Sequence, residues 1–195
     1  QGVGTTDLFN TYGDVSIRPR YAAYMNESAY GSFYDRIYMS FHSNGNDGTV
    51  RGAMGLGALN NYPTNQQNFA LAWNNEIEAD MEALDQGVEF GQDWIDTSSD
   101  YYDGVNYGEI GNTSLQGEMT GTIIEVAFHD NADDANLMKD PRVRNTMGRA
   151  SYQALVKFLN QYGDNSIPLN LLPDPPTHVR AVNNGSGGVA DRKST

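Results

Sequence analysis

Arg36-Ile37-Tyr38-Met39-Ser40-Phe41-His42-Ser43-Asn44-Gly45 is the stretch whose reading decides the fold. Ile37, Tyr38, Met39 and Phe41 make a short apolar run, and Asn44-Gly45 is a turn dipeptide. The stretch therefore reads as a buried strand that ends in a turn. His42 falls on its last positions. The carboxyl end of an interior strand is where open α/β sheets hold their ligands, and neutral imidazole is the commonest metal ligand. Against that stands the plainer reading, a histidine beside a turn that is only hydrogen-bonded or solvated. A second stretch answers the first. Thr122-Ile123-Ile124-Glu125-Val126-Ala127-Phe128-His129-Asp130-Asn131 reads as another buried strand, with a glutamate in its middle. Burying an ionised carboxylate is costly unless it is paired, hydrogen-bonded or metal-linked. The alternative is an edge strand with Glu125 facing water. Any chemistry is expected between His42 and Glu125.

Composition bounds the rest. A chain of 195 residues suits one domain with a real core. Its 38% hydrophobic and 11% aromatic content is that of a globular chain. A net charge of −13 would repel phosphates, and no basic patch interrupts it, so nucleic acid is not an expected partner. There are no cysteines, hence no disulfide or thiolate chemistry. No run approaches membrane-spanning length. No signal peptide opens the chain, which a mature or clipped amino terminus would explain.

Between and around the two strands, the pattern alternates helix and strand. Ser16 reads as the N-cap of a helix that carries Ile17, Tyr21, Tyr24 and Met25 on one face and ends at Tyr30-Gly31. Pro19 is then tolerable because it lies in the first turn. Arg51 to Leu59 reads as a glycine-laced strand. Its glycines suit close backbone approach better than a phosphate cradle, because the spacing is not Gly-x-Gly-x-x-Gly. Thr64-Asn65-Gln66-Gln67 is a capping-box pattern opening a helix to about Leu84, with Phe69, Trp73, Ile77, Met81 and Leu84 on one face and Gly87 as its C′ residue. Glu76, Glu78, Asp80, Glu82 and Asp85 on that helix read as a solvated face. Residues 88–118 read as a long loop with aromatic anchors, or as a wall contacting a sugar or peptide substrate. A short helix is expected from Asp133 to Lys139. Asp140-Pro141 opens the last helix with Asp at N-cap and Pro at N1, and Gly163 closes it. Val143, Met147, Ala150, Ala154, Leu155, Phe158 and Leu159 give that helix a wide apolar stripe. From Asp164 the composition shifts toward Pro and Gly, the mark of a linker.

Three motifs carry a family resemblance. Phe41-His42-Ser43-Asn44 resembles the Ser-Ile-His-Ala-Asn signature of the zinc-dependent N-acetylmuramoyl-L-alanine amidases of the amidase-3 family. Ile124-Glu125-Val126-Ala127-Phe128-His129-Asp130-Asn131 resembles that family's Val-Glu-x-Gly-Phe-x-x-Asn. Ser16 to Asn26 is similar to its Ser-Leu-x-x-Arg-x-x-x-Ala-Asn helix, with Tyr24-Met25 departing from the small residue. The resemblance runs over residues 14 to 162. One departure is as informative. The family's first zinc histidine, in a Gly-His-Gly-Gly turn, and its zinc glutamate have no match here, so the chain is expected to be a fragment of a larger protein. Pro175 to Val182 resembles the opening strand of a fibronectin type III domain.

The resemblance implies an α/β fold with a single mixed or mainly parallel sheet flanked by helices on both faces. Residues 1–163 would form the amidase-like domain, and residues 164–195 a linker and the possible start of a fibronectin type III domain. It implies hydrolysis of the muramoyl–L-alanine amide of peptidoglycan with zinc as cofactor, in a bacterial protein secreted or held in the cell envelope. His42 would be the surviving zinc ligand and Glu125 the catalytic carboxylate. Asn44, Arg51 and His129 would contact substrate, His129 alternatively orienting Glu125 or satisfying a loop. Two other classes stay open: a wall-binding module with a degenerate zinc site, and a zinc amide hydrolase acting on another peptide.

Overall fold

The structure is a computed structural model that describes residues 11–26, 36–87, 93–163, 167–173, 180–183 and 189–192. Its centre is β4 (Thr120–Phe128), nearly all of whose residues are buried. Thr, Ile and Val dominate this strand, and β-branched residues fit a pleated surface packed on both sides. β1 (Ile37–Asn44) pairs with it in parallel, Ile37 opposite Thr120 through His42 opposite Glu125. On its other side β2 (Met54–Leu56) pairs antiparallel, with Met54 opposite Glu125. β3 (Tyr101–Tyr102) extends the sheet beyond β2, giving the order β1-β4-β2-β3. The sheet is mixed, within the expected class. The expectation that β1 is a buried interior strand needs correction. It is the outermost of the described strands on its side, and Phe41, His42 and Ser43 are exposed. The buried interior strand is β4.

One face of the sheet is packed by α2 (Gln66–Gly87) and α5 (Pro141–Tyr162). Phe69, Trp73, Ile77 and Met81 recur at four-residue spacing on α2 and are fully buried, as the periodicity predicts. Val143, Met147, Ala150, Ala154 and Phe158 of α5 meet them in one core with Ile124. Trp73 donates its indole N–H to the Ser151 hydroxyl at 2.7 Å, so its polar handle is satisfied inside the core. Gly55 permits the close approach of α2: a Cβ there would lie 2.7 Å from the Ala70 carbonyl oxygen. The α5 boundaries follow the sequence: Asp140 accepts from the Arg142 amide, proline occupies the first turn, and Gly163 ends the helix.

Three of the acidic residues of α2, Glu76, Glu78 and Asp80, are not on the expected solvated face, whereas Glu82 is exposed. Glu76 pairs with Lys157 and Asp80 with Arg149, both on α5. Glu78 accepts from the Ala53 amide and the Trp94 indole. These carboxylates tie the helix to its neighbours because α5 and the 93–98 segment crowd that side.

The opposite face is covered by the segment 107–110, by α3 (Asn112–Leu115), and outside it by α1 (Thr11–Met25). α1 departs from expectation. It begins before Ser16, which places Pro19 inside the helix. The aromatic face is not the core face: Tyr21, Tyr24 and Met25 are exposed, whereas Ser16, Ala23 and Asn26 are buried. Small side chains let α1 lie close on α3, and Asn26 Nδ2 donates to the Glu118 carbonyl at 2.6 Å. The expected end at Tyr30-Gly31 lies outside the described residues. The short helix after β4, α4 (Ala132–Leu137), starts from Asn131, whose side chain accepts from the Asp133 and Asp134 amides. Beyond Gly163, β5 (Arg180–Asn183) and β6 (Val189–Arg192) form a separate antiparallel pair. His178 lies outside the described residues.

Candidate functional site

Pairing in register puts His42 and Glu125 side by side, and register partners in a parallel pair present side chains to the same face. The period-2 alternation of β1 adds Tyr38 and Ser40 to that face. Just past His42 the register shifts, Asn44 standing opposite Phe128. Such irregularities bend a strand and re-aim its side chains.

The centre of the site is a residue that sequence reasoning missed. Glu109, from the segment between β3 and α3, is only 4% exposed. Its Oε1 accepts from the Tyr38 hydroxyl at 2.8 Å and the Ser40 hydroxyl at 2.6 Å. Its Oε2 lies 2.9 Å from His42 Nε2. Burial pushes the Glu109 pKa up, but the Ser40 and Tyr38 hydrogen bonds and the His42 charge outweigh it, and the net is below the ordinary value. The Tyr38 hydroxyl is shifted up, by burial first and then by its bond to this carboxylate. In the sequence Glu109 is one acid among Asp93, Asp96, Asp100 and Asp103. The available signal was on β1, where three polar side chains at alternate positions of an otherwise apolar strand require an acceptor from elsewhere.

Glu125 is 8% exposed, and its Oε2 is buried with no hydrogen-bond partner among the described residues. Burial raises its pKa, while the charges of His42 and His129 pull it the other way, and burial prevails. A carboxylate with a raised pKa, an unused oxygen and a neighbouring imidazole is suited to taking and returning a proton.

The other expected site residues divide. His129 approaches from the end of β4. Its Nδ1 lies 3.1 Å from both the hydroxyl and the carbonyl oxygen of Ser43, so it is tied to the end of β1 while its charge is felt at Glu125. Asn44 shapes the turn: its Oδ1 accepts from the Gly45 amide at 2.8 Å and its carbonyl from the His129 amide at 2.9 Å. Arg51, the remaining expected substrate contact, is placed in a network of ion pairs. It is 8% exposed, with Nε on Asp134 at 2.8 Å, one terminal nitrogen on Asp133 and the other on the Asp93 carbonyl. Those bonds commit its guanidinium to joining the start of β2 to α4 and to the segment at Asp93.

Zinc can be tested against these donors. The chemistry fits: an imidazole, an adjacent carboxylate and a buried carboxylate oxygen lacking a partner. The count does not reach a whole site. Catalytic zinc takes three protein ligands, and among the described residues no group of three His, Cys, Asp or Glu is placed to hold a metal.

No family model matches the chain, and no curated protein matches it. Solved structures do. The N-acetylmuramyl-L-alanine amidase Ami1 from Mycobacterium smegmatis superposes with a TM-score of 0.51 at 16% identity, over 75% of this chain and 61% of that one. The CwlD amidase from Clostridioides difficile, in complex with the GerS lipoprotein, gives 0.49 at 13% identity, over 83% and 71%. Ami1 from Mycobacterium abscessus gives 0.49 at 18%, over 72% and 61%. The chain thus spans about three fifths of the length of the two mycobacterial enzymes. Among the described residues, the mixed sheet of four strands flanked by helices is an N-acetylmuramyl-L-alanine amidase-like fold.

Proposed function

We propose that this chain belongs to a bacterial cell-wall hydrolase that cleaves the amide between the muramic lactyl group and L-alanine in peptidoglycan. A fold alone does not assign a reaction. The observation that supports the reading is the in-register pair His42 and Glu125, with a buried, unpartnered oxygen on Glu125. Glu125 is the general base. It takes a proton from the attacking water as the new C–O bond forms, then delivers it to the amide nitrogen as the C–N bond breaks. A base with a raised pKa is better matched to both halves of that transfer near neutral pH. His42 would be one ligand of a zinc ion, whose full set of three protein donors is not assembled among the described residues. When bound, zinc polarises the carbonyl and makes water more acidic. His129, tied to Ser43 at the end of β1, stands near Glu125, where it would contact substrate or orient that carboxylate.

Peptidoglycan places the protein in the cell envelope or outside the cell. No helix among the described residues is long and apolar enough to cross a membrane. Residues 1–163 would be the amidase-like part and 164–195 a linker leading to a fibronectin type III strand, a division in keeping with the separate β5–β6 pair.

A second reading has one observation in its favour. Among the described residues the metal donors number fewer than three in any group, as in a degenerate module that binds wall without cutting it. Incubating the full-length protein with purified peptidoglycan and tagging new amino termini separates the readings. New L-alanine termini support the amidase. New termini of another residue point to a different amide hydrolase. Sedimentation with walls and no new termini supports the binding module.

A further inference from the structure

We propose that Glu109 is a positioning residue for His42, which selects the ring nitrogen that His42 presents to a ligand. The proposal rests on reading His42 as a site residue, but its first test does not depend on amide hydrolysis.

Three side chains at alternate positions of one strand face, Tyr38, Ser40 and His42, converge on this one buried carboxylate. The two hydroxyls occupy Oε1 at 2.8 and 2.6 Å and hold the carboxylate in one orientation. Its Oε2 is thereby aimed at Nε2 of His42, 2.9 Å away. An ionised carboxylate only accepts hydrogen bonds. In the neutral imidazole, Nε2 must therefore carry the hydrogen and Nδ1 the lone pair. The His42 side chain is 41% exposed. Among the described residues its ring makes no second hydrogen bond, so Nδ1 is the nitrogen left to bind. Metal-ligating histidines commonly donate their other ring N–H to a carboxylate, which sets both tautomer and orientation. Glu109 is not adjacent to His42 in the chain. It reaches the ring because the 107–110 segment folds over this face of the sheet, with Ile110 packed on Leu56 and Ile123.

The test is nitrogen–proton correlation NMR of the metal-free full-length protein with labelled histidine, at a pH of about 8, above the ordinary imidazole pKa. The His42 signals are assigned by their loss in His42→Gln. The expected result is an Nε2–H tautomer. A predominant Nδ1–H tautomer, or an even mixture, overturns the proposal whatever the protein does to peptidoglycan. In Glu109→Gln the amide can offer the ring either an oxygen or an NH₂, so the tautomer bias should fall toward a mixture. Zinc affinity should weaken by about 10–100-fold, with stoichiometry retained at saturating zinc. Loss of zinc as complete as in His42→Ala would make Glu109 itself a ligand and overturn the positioning role. If the buried Glu109→Gln variant does not fold, Ser40→Ala takes its place. It frees one of the two hydroxyl anchors and should weaken the bias in the same direction. An unchanged tautomer and zinc affinity there count against the proposal.

Discussion

Removing the Asp134 carboxylate should destabilise the fold severely, although it touches no proposed catalytic group. Asp134 is 0% exposed and takes three donors: Arg51 Nε at 2.8 Å, the Gly52 amide at 3.0 Å and the Phe128 amide at 3.1 Å. Asp134→Ala leaves the buried Arg51 guanidinium without its main counter-charge. Breaking such a pair from one side costs about 3–5 kcal/mol. Each stranded amide would add about 1–3 kcal/mol if water could not reach it. These penalties overlap, and water entering the space left by the carboxylate relieves part of them, so about 3–5 kcal/mol is the expected total. For a chain of this size about 2–4 °C is lost per kcal/mol, which puts the fall in Tm at roughly 6–20 °C. Asp134→Asn keeps one acceptor oxygen and should lose about half as much. Urea and thermal unfolding followed by circular dichroism measure both. A loss under about 1 kcal/mol for Asp134→Ala would refute the reasoning. If Arg51→Ala then cost substrate affinity rather than stability, Arg51 would be a substrate contact.

Other outcomes follow from particular contacts. Gly55→Ala should destabilise by about 1–3 kcal/mol, because the added Cβ meets the Ala70 carbonyl at 2.7 Å and α2 must shift; chemical denaturation checks it, and an unchanged midpoint would remove the close-approach reading. Glu78 supplies a pH signature. Burial, with the neighbouring Asp96 charge adding to it, raises its pKa from 4.5 to about 7. The folded state therefore binds this proton more tightly than the unfolded state. Its contribution is fully present below pH 4.5 and is lost as pH rises through about 7. Discounted for partial exposure, that is about 1–2 kcal/mol. Glu78→Gln should flatten stability across this window, and a mutant curve that still falls as steeply would assign the slope elsewhere.

What was legible in the sequence is what local periodicity encodes. β4 shows as an apolar run, α2 and α5 as four-residue apolar repeats, and the α5 ends as Asp140-Pro141 and Gly163. His42 and Glu125 stood out because each is a polar residue at the end or middle of such a run. α1 was misread because its buried side is made of small residues. An aromatic stripe at Tyr21 and Tyr24 offers more apolar area than Ser16 and Ala23, yet it is the small face that is buried. The acids of α2 looked solvated because their partners Lys157 and Arg149 lie far along the chain. Glu109 was invisible for the same reason. Its role is set by Tyr38, Ser40 and His42, which only the fold brings to it.

In the proposed reaction Glu125 moves the proton in amide hydrolysis while His42 serves as a metal ligand. This division of roles is tested most directly by the rate at which the full-length protein releases L-alanine amino termini from purified peptidoglycan, before and after Glu125→Gln, with zinc content measured in both. Glutamine is nearly isosteric but cannot accept the proton. Turnover should fall by roughly 10²–10⁴-fold with zinc content unchanged, whereas His42→Ala should lose zinc and activity together. Near-normal turnover in Glu125→Gln would make this buried carboxylate a structural residue and contradict the account.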